Sequence, residues 1–203
     1  MNKERVKRYF IDAALEIISE EGVKGISTRK VAEKAEYSYA TIYNYFKDVN
    51  ELLAYCVVEY FNQLENFIFL DEELKNTKDI EKLKYMLILY AKFFIMYPEK
   101  FALVFLEDFG EIFSENLSEN LLKPKVIYRV NQETYNILKE KNFNDYEIER
   151  ILSIISTYIN GTLLFYLKRN FSLPNEEVLE LVKKDIDFMF ENFRRKIWKK
   201  YYQ

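Results

Sequence analysis

The sequence predicts an all-α protein, and three observations carry that prediction. Its 203 residues hold four glycines and three prolines, far below the ordinary usage of roughly 7 % and 5 %, so helix breakers are scarce. No stretch shows the sustained apolar–polar alternation of a half-buried strand. Apolar residues instead recur at i, i+3 and i+4, the spacing of one helix face. The length suffices to bury a substantial core. A boundary at the start of the fourth helix divides the chain into an N-terminal three-helix head, residues 1–48, and a helical body, residues 49–203, with about nine helices in all.

The first helix spans 3–21 on Val6, Phe10, Ala13, Ala14, Ile17 and Ile18, and Gly22 suits the left-handed position that ends a helix. Gly25 and Ile26 turn the chain. Val31, Ala32 and Ala35 then give an apolar edge to a helix of about two turns, and Glu36-Tyr37-Ser38 is too short for anything but a turn. Ser38 is the expected N-cap of a second short helix in which Ile42 and Phe46 share the buried face. That register turns Tyr39, Ala40, Thr41, Tyr43 and Asn44 outward. Two short helices across a tight turn form a helix-turn-helix, whose second helix enters the DNA major groove.

A long helix begins near Asp48, whose carboxylate caps it with Glu51 at the third helical position in a capping-box variant. Its stripe is Leu52, Leu53, Cys56, Val57, Tyr60, Phe61 and Leu64, with Cys56 read as core. Residues 71–78 read as a charged loop. A helix over 79–97 stops at Pro98, which opens the next, 98–109, closed by Gly110. Residues 111–120 read as a polar connector, and Pro124 opens a helix running to about 141. The last two helices, 145–170 and 175–199, are apolar over much more than 100° of their circumference. Ile151, Ile155, Ile159 and Tyr166 make one face of the first, and Val182, Ile186, Met189 and Phe193 one face of the second. Such helices need cover on two sides, most simply from the rest of the domain and from a second copy. Ile151, Ile155, Ile159, Gly161, Tyr166, Val182, Ile186, Met189 and Phe193 are therefore the expected homodimer interface. Gly161 costs about 1 kcal/mol in mid-helix, which close helix approach would justify.

Composition narrows the chemistry. No uncharged apolar run approaches the roughly 18 residues of a membrane span, and the N-terminus lacks a signal-peptide apolar region, so a cytoplasmic location is expected. One cysteine and no histidine predict no disulfide, no zinc site and no histidine-based catalysis; only Glu, Asp, Tyr or Lys chemistry remains, and with no glycine-rich loop and no carboxylate pair in place, neither an enzyme nor a cofactor is expected. Net charge is −3, and residues 1–50 hold 9 Lys+Arg against 8 Asp+Glu. A head this weakly basic must neutralise phosphate with a few placed cations and with hydroxyl and backbone donors.

Thr28-x-x-Val31-Ala32-x-x-Ala35, followed by Ser38-x-Ala40-Thr41-Ile42-Tyr43-x-x-Phe46 and Leu52, resembles the N-terminal signature of the TetR family of bacterial transcriptional regulators, over roughly residues 5–60. The resemblance implies base contacts from Tyr39, Ala40, Tyr43 and Asn44 and phosphate contacts from Thr28, Thr41, Tyr45 and Lys47, with Ser38 completing the DNA-facing set. Asn44 suits adenine and Ala40 a thymine methyl. With no Arg or Lys on that helix, an A·T-leaning operator is expected. Two positions depart from the family pattern: Glu36 stands where glycine is usual in the turn, and Val49 where lysine is usual.

The resemblance further implies a homodimer on a palindromic double-stranded operator, released by a small lipophilic effector bound in the body. Phe93, Tyr97, Phe101, Phe105, Tyr128, Tyr135, Tyr158 and Phe165 are the expected apolar lining, and Glu107 and Asp108 would favour a lipophilic cation. The alternative is a DNA-bound adaptor whose body binds a protein partner.

Overall fold

The computed structural model describes residues 3–107, 123–169 and 173–201, and every regular element among them is helical. They are α1 (Lys3–Glu21), a 3-10 turn (Val23–Gly25), α2 (Thr28–Lys34), α3 (Tyr39–Ile42), α4 (Val49–Phe69), α5 (Glu72–Asn76), α6 (Asp79–Met96), α7 (Pro98–Leu106), α8 (Lys125–Glu140), α9 (Asp145–Arg169) and α10 (Asn175–Tyr201). Among the described residues, the helix beyond the nine expected is α5, inside the stretch read as a charged loop. Asp71 Oδ1 accepts the Leu74 N–H at 3.0 Å and Leu74 is buried, so one cap and one apolar anchor suffice to wind a turn. Helix α7 ends at Leu106, earlier than 109, because Glu107 is already extended. The expected Gly110 stop and the connector 111–120 lie outside the described residues.

The chain folds into two compact units, one of residues 1–63 with 97–126 and one of 64–96 with 127–203. Helix α4 therefore contributes residues 49–63 to the first unit and 64–69 to the second.

In the first unit, α1 packs on α2 and on the 3-10 turn, α2 packs on α3, and α7 packs on the 3-10 turn. Val6, Phe10, Ala14, Ile18, Val31, Ile42 and Leu52 are fully buried there. Both glycines beside the 3-10 turn are structurally required. Gly22 has φ +73°, and a Cβ on Gly25 would sit 2.4 Å from the Glu21 Cβ. Helix α4 is capped as its first residues predict, with the Glu51 N–H donating to Asp48 Oδ1 at 2.9 Å. The Glu51 carboxylate in turn accepts from the N–H of Lys47 at 2.6 Å, one residue earlier than an ordinary capping box. Cys56 is fully buried, and that burial pushes its thiol pKa up, which fits an inert core residue.

In the second unit, α6 packs against α9 and α10, which pack on each other. Leu83, Met86, Phe93 and Phe94 of α6, Ile151, Ile155, Ile159 and Leu163 of α9, and Val182 and Ile186 of α10 are all buried in this unit. Tyr90 Oη donates to Asn160 Oδ1 at 2.8 Å, pairing a buried phenol with an amide that otherwise interrupts an apolar helix. Lys84 joins Asp187 at 2.8 Å and Glu81 at 3.0 Å. The stretch Asp145–Leu167 is long and apolar enough to cross a membrane by length and composition. Its inner residues, however, are the ones packed in this core.

Candidate functional site

The turn of the helix-turn-helix closes as a Schellman motif. The Tyr37 N–H donates to the Ala32 carbonyl at 2.9 Å and the Glu36 N–H to that of Glu33 at 3.1 Å, the paired bonds that end a helix on a left-handed residue. That residue is Glu36, with φ +60°, so the side chain at the usual glycine position tolerates the left-handed conformation and leaves the turn unchanged. A left-handed non-glycine residue costs about 1–2 kcal/mol and glycine loses about 0.5–1 kcal/mol of that advantage to backbone entropy. Glu36→Gly is expected to stabilise the first unit by about 0.5–1 kcal/mol on the same two figures, read as an increased urea midpoint. A decrease would show that the Glu36 side chain makes a compensating contact.

Helix α3 is a single turn, prolonged by bonds from the N–H groups of Tyr45 and Phe46 to the Ile42 carbonyl at 3.0 and 3.1 Å. Ile42 and Phe46 are buried, and Tyr39, Ala40, Tyr43 and Asn44 are exposed, as the register requires. Ser38 stands at the N-cap, yet its hydroxyl makes no capping bond. It lies 2.7 Å from the Thr41 hydroxyl; the expected cap is thus corrected to a side-chain pair. Tyr45 is half-buried with its ring 5.7 Å from that of Phe10, so much of its apolar surface is engaged in the head. Lys47 is exposed.

Three hydroxyls meet on the exposed face. Tyr43 Oη lies 2.6 Å from Tyr39 Oη and 3.3 Å from Thr28 Oγ1, and the two tyrosine rings stand edge to face at 5.2 Å. The bonds from Thr28 and then Tyr39 hold the Tyr43 phenol below the usual tyrosine pKa. This cluster is not apparent in the linear sequence, although Tyr39 and Tyr43 at i, i+4 were the available signal. Several basic side chains nearby already have acidic partners: Lys30 with Glu21, Lys34 with Glu16 and Glu20, Arg29 with Glu33, and Arg8 with Asp12 and Glu59. At the start of α1, Lys7 Nζ sits 3.6 Å from the Tyr55 ring centre, a contact that sequence spacing did not reveal.

The aromatic residues expected to line one pocket divide between the two units. Tyr97, Phe101, Phe105 and Glu107 belong to the first; Phe93, Tyr128, Tyr135, Tyr158 and Phe165 belong to the second; Asp108 lies outside the described residues. Phe93 and Phe101 are core. Tyr128 is 65 % exposed, and exposed Tyr135 donates its hydroxyl to Asp145 Oδ1 at 2.7 Å. Both lie on the outer face of α8, whose inner face is Val126, Thr134, Ile137 and Leu138. Phe105 and Glu107 are exposed as well, which removes the acidic-pocket argument for Glu107. The charge embedded among aromatic rings in the first unit is instead a cation. Lys100 Nζ lies 3.8 Å from the Tyr97 ring centre and 5.3 Å from that of Tyr60, donates to Gln63 Oε1 at 2.8 Å, and has its pKa lowered by burial.

The expected dimer face is corrected in the same way. Ile151, Ile155, Ile159, Val182 and Ile186 are 0–4 % exposed, because α6 covers that side of α9 and α10; Met189 and Phe193 are half-buried. Among the described residues, the exposed apolar side chains of these helices include Ile154, Leu164 and Phe165 on α9 and Leu181 and Phe188 on α10. A groove of about 460 Å³ is lined by residues of both helices, Tyr158, Gly161, Phe165, Tyr166, Val178 and Leu181 among them. It unites Gly161 and Tyr166, read as interface, with Tyr158 and Phe165, read as ligand lining. A Cβ on Gly161 would meet nothing within 4 Å, so no close approach among the described residues accounts for that glycine. Tyr158 donates to Asp185, and burial first, then this bond, pushes its phenol up to about 12.

The family model described as bacterial regulatory proteins, tetR family, matches residues 10–56, bearing out the resemblance in the head. No curated protein matches the chain in sequence. Among solved structures, the chain is similar to the fatty acid degradation regulator FadR from Bacillus halodurans, with 19 % identity, TM-score 0.64, and 89 % of this chain and 93 % of that one covered. The FadR regulator from Bacillus subtilis, solved with stearoyl-CoA, gives 20 %, 0.62, 86 % and 96 %. A TetR variant from Acinetobacter baumannii AYE, solved with minocycline, gives 19 %, 0.65, 96 % and 97 %. The all-helical fold is that of these regulators along nearly the whole chain.

Proposed function

We propose that the chain is a ligand-responsive DNA-binding transcriptional regulator, a repressor released from a palindromic operator by a small lipophilic effector. The observation that carries this reading is the helix-turn-helix itself. Ile42 and Phe46 anchor a short helix whose exposed side is hydroxyl-rich and aromatic, within the segment that matches the regulatory family. A homodimer formed through the exposed faces of α9 and α10 would set two such helices about 34–36 Å apart, one turn of B-DNA. Helix α4 runs without a break from the first unit into the second and is the natural mechanical link. An effector acts only by its differential affinity for two head spacings, a coupling of order 1–3 kcal/mol. The bound stearoyl-CoA and minocycline of the similar structures support a ligand in the body.

Selection of bound duplexes from a random library tests the reading. The expected result is an A·T-leaning palindrome whose half-sites lie one helical turn apart; no enrichment overturns it. Titrating acyl-CoA thioesters against the operator complex then tests release. A ligand that saturates the body and leaves operator affinity unchanged overturns the switching mechanism.

A further inference from the structure

We propose that Tyr39 is a positioning residue rather than a base reader: together with Thr28 it aims the Tyr43 hydroxyl outward as the donor for one DNA phosphate. The inference rests on the DNA-binding reading above and starts from proton counting. Thr28, Tyr39 and Tyr43 bring three hydroxyl protons to a cluster with two internal contacts, of 3.3 and 2.6 Å, both centred on Tyr43 Oη. When Thr28 and Tyr39 each donate into that oxygen, the Tyr43 proton is left unspent and points away from both. An oxygen that accepts two hydrogen bonds becomes a stronger donor, because chains of hydrogen bonds polarise one another. The lowered pKa of Tyr43 has these two bonds as its causes.

The geometry also argues against Tyr39 as a reader. Its only polar atom is already within 2.6 Å of Tyr43, and its ring stands edge to face against the same partner. The pair is nonetheless at the surface, with Tyr39 52 % and Tyr43 45 % exposed, so a phosphate can reach Tyr43 without rearrangement. Residues 38–46 contain no Arg or Lys, so within that stretch only hydroxyl and amide donors are on offer to an anion. Thr28 begins α2 and Tyr43 follows α3. Their contact therefore fixes the Tyr43 hydroxyl relative to both helices of the motif.

A double-mutant cycle on the full-length chain, read by fluorescence anisotropy with the selected operator and with an unrelated duplex, tests this. Tyr39→Phe keeps the ring and removes the hydroxyl. It is expected to weaken binding roughly three- to tenfold for each head engaged, the range of one net hydrogen bond, and equally on both duplexes. In a Tyr43→Phe background the same change is expected to cost nothing. A Tyr39→Phe loss confined to the operator, an undiminished loss in the Tyr43→Phe background, or no loss at all overturns the positioning role while leaving the DNA-binding reading intact. Failure of the wild-type chain to bind any duplex overturns both. Equal thermal midpoints of the single variants and wild type are expected; a fall in midpoint that accounts for the affinity loss assigns Tyr39 a purely structural role instead.

Discussion

Phe10→Ala is expected to cost the first unit about 3–5 kcal/mol, the range for emptying a buried aromatic site. Phe10 is fully buried, and its ring centre lies 5.2, 5.7 and 6.3 Å from those of Tyr37, Tyr45 and Phe46. One side chain thus joins α1 to the turn, to the segment after α3 and to the anchor of that segment. Domain stabilities are about 5–15 kcal/mol, so the loss is a large fraction of the total. Urea denaturation followed by circular dichroism, with operator binding measured on the same samples, should show both failing together at lower denaturant. A cost below about 1 kcal/mol would place Phe10 among sites that collapse around a deletion and deny it the central role.

Phe188→Glu is expected to convert the proposed homodimer to monomer with little change in the stability of the second unit. Phe188 is 67 % exposed, so the substitution removes little from the core yet places a charge on the face assigned to the partner. Sedimentation velocity checks the mass. Loss of the second head should lower operator affinity by roughly 10²–10⁴-fold, the usual gain from linked binding. A variant that remains dimeric moves the interface to another surface.

These two experiments address parts of the chain that differ in how legible they were. Val31, Ala32, Ile42 and Phe46 were readable from spacing because each short helix has one buried side and its partners lie within a few residues. Gly22 and Asp48 were readable because a positive φ and a side-chain cap are local chemistry. Helices α9 and α10 were not, since periodicity reveals that a helix has two apolar faces without saying which partner takes which. Helix α6, distant in sequence, decided that Ile151, Ile155 and Ile159 face inward and left Ile154, Leu164 and Phe165 outside. The aromatic set was no more legible. Tyr128 and Tyr135 stand on the polar side of α8, and composition alone cannot separate a ring that covers a core from one that faces water. Helix α5 was missed because one buried leucine in an otherwise polar stretch produces no period. Tyr39 and Tyr43 were singled out as separate outward residues, whereas their pairing depends on side-chain rotamers that spacing does not set.

The pairing of Lys30, Lys34 and Arg29 with carboxylates of the same head bears on how the proposed regulator would find its operator. Non-specific attraction to a duplex grows with the number of phosphates neutralised and counterions released. Cations that sit beside their own acids, as these do, contribute less to that release. For the proposed regulator, bulk chromosome would then be a weak decoy, and a small pool of protein would suffice to keep a scarce operator occupied. What such a head would give up is fast capture by long-range attraction, so the proposed search would run by many brief encounters rather than by extended sliding.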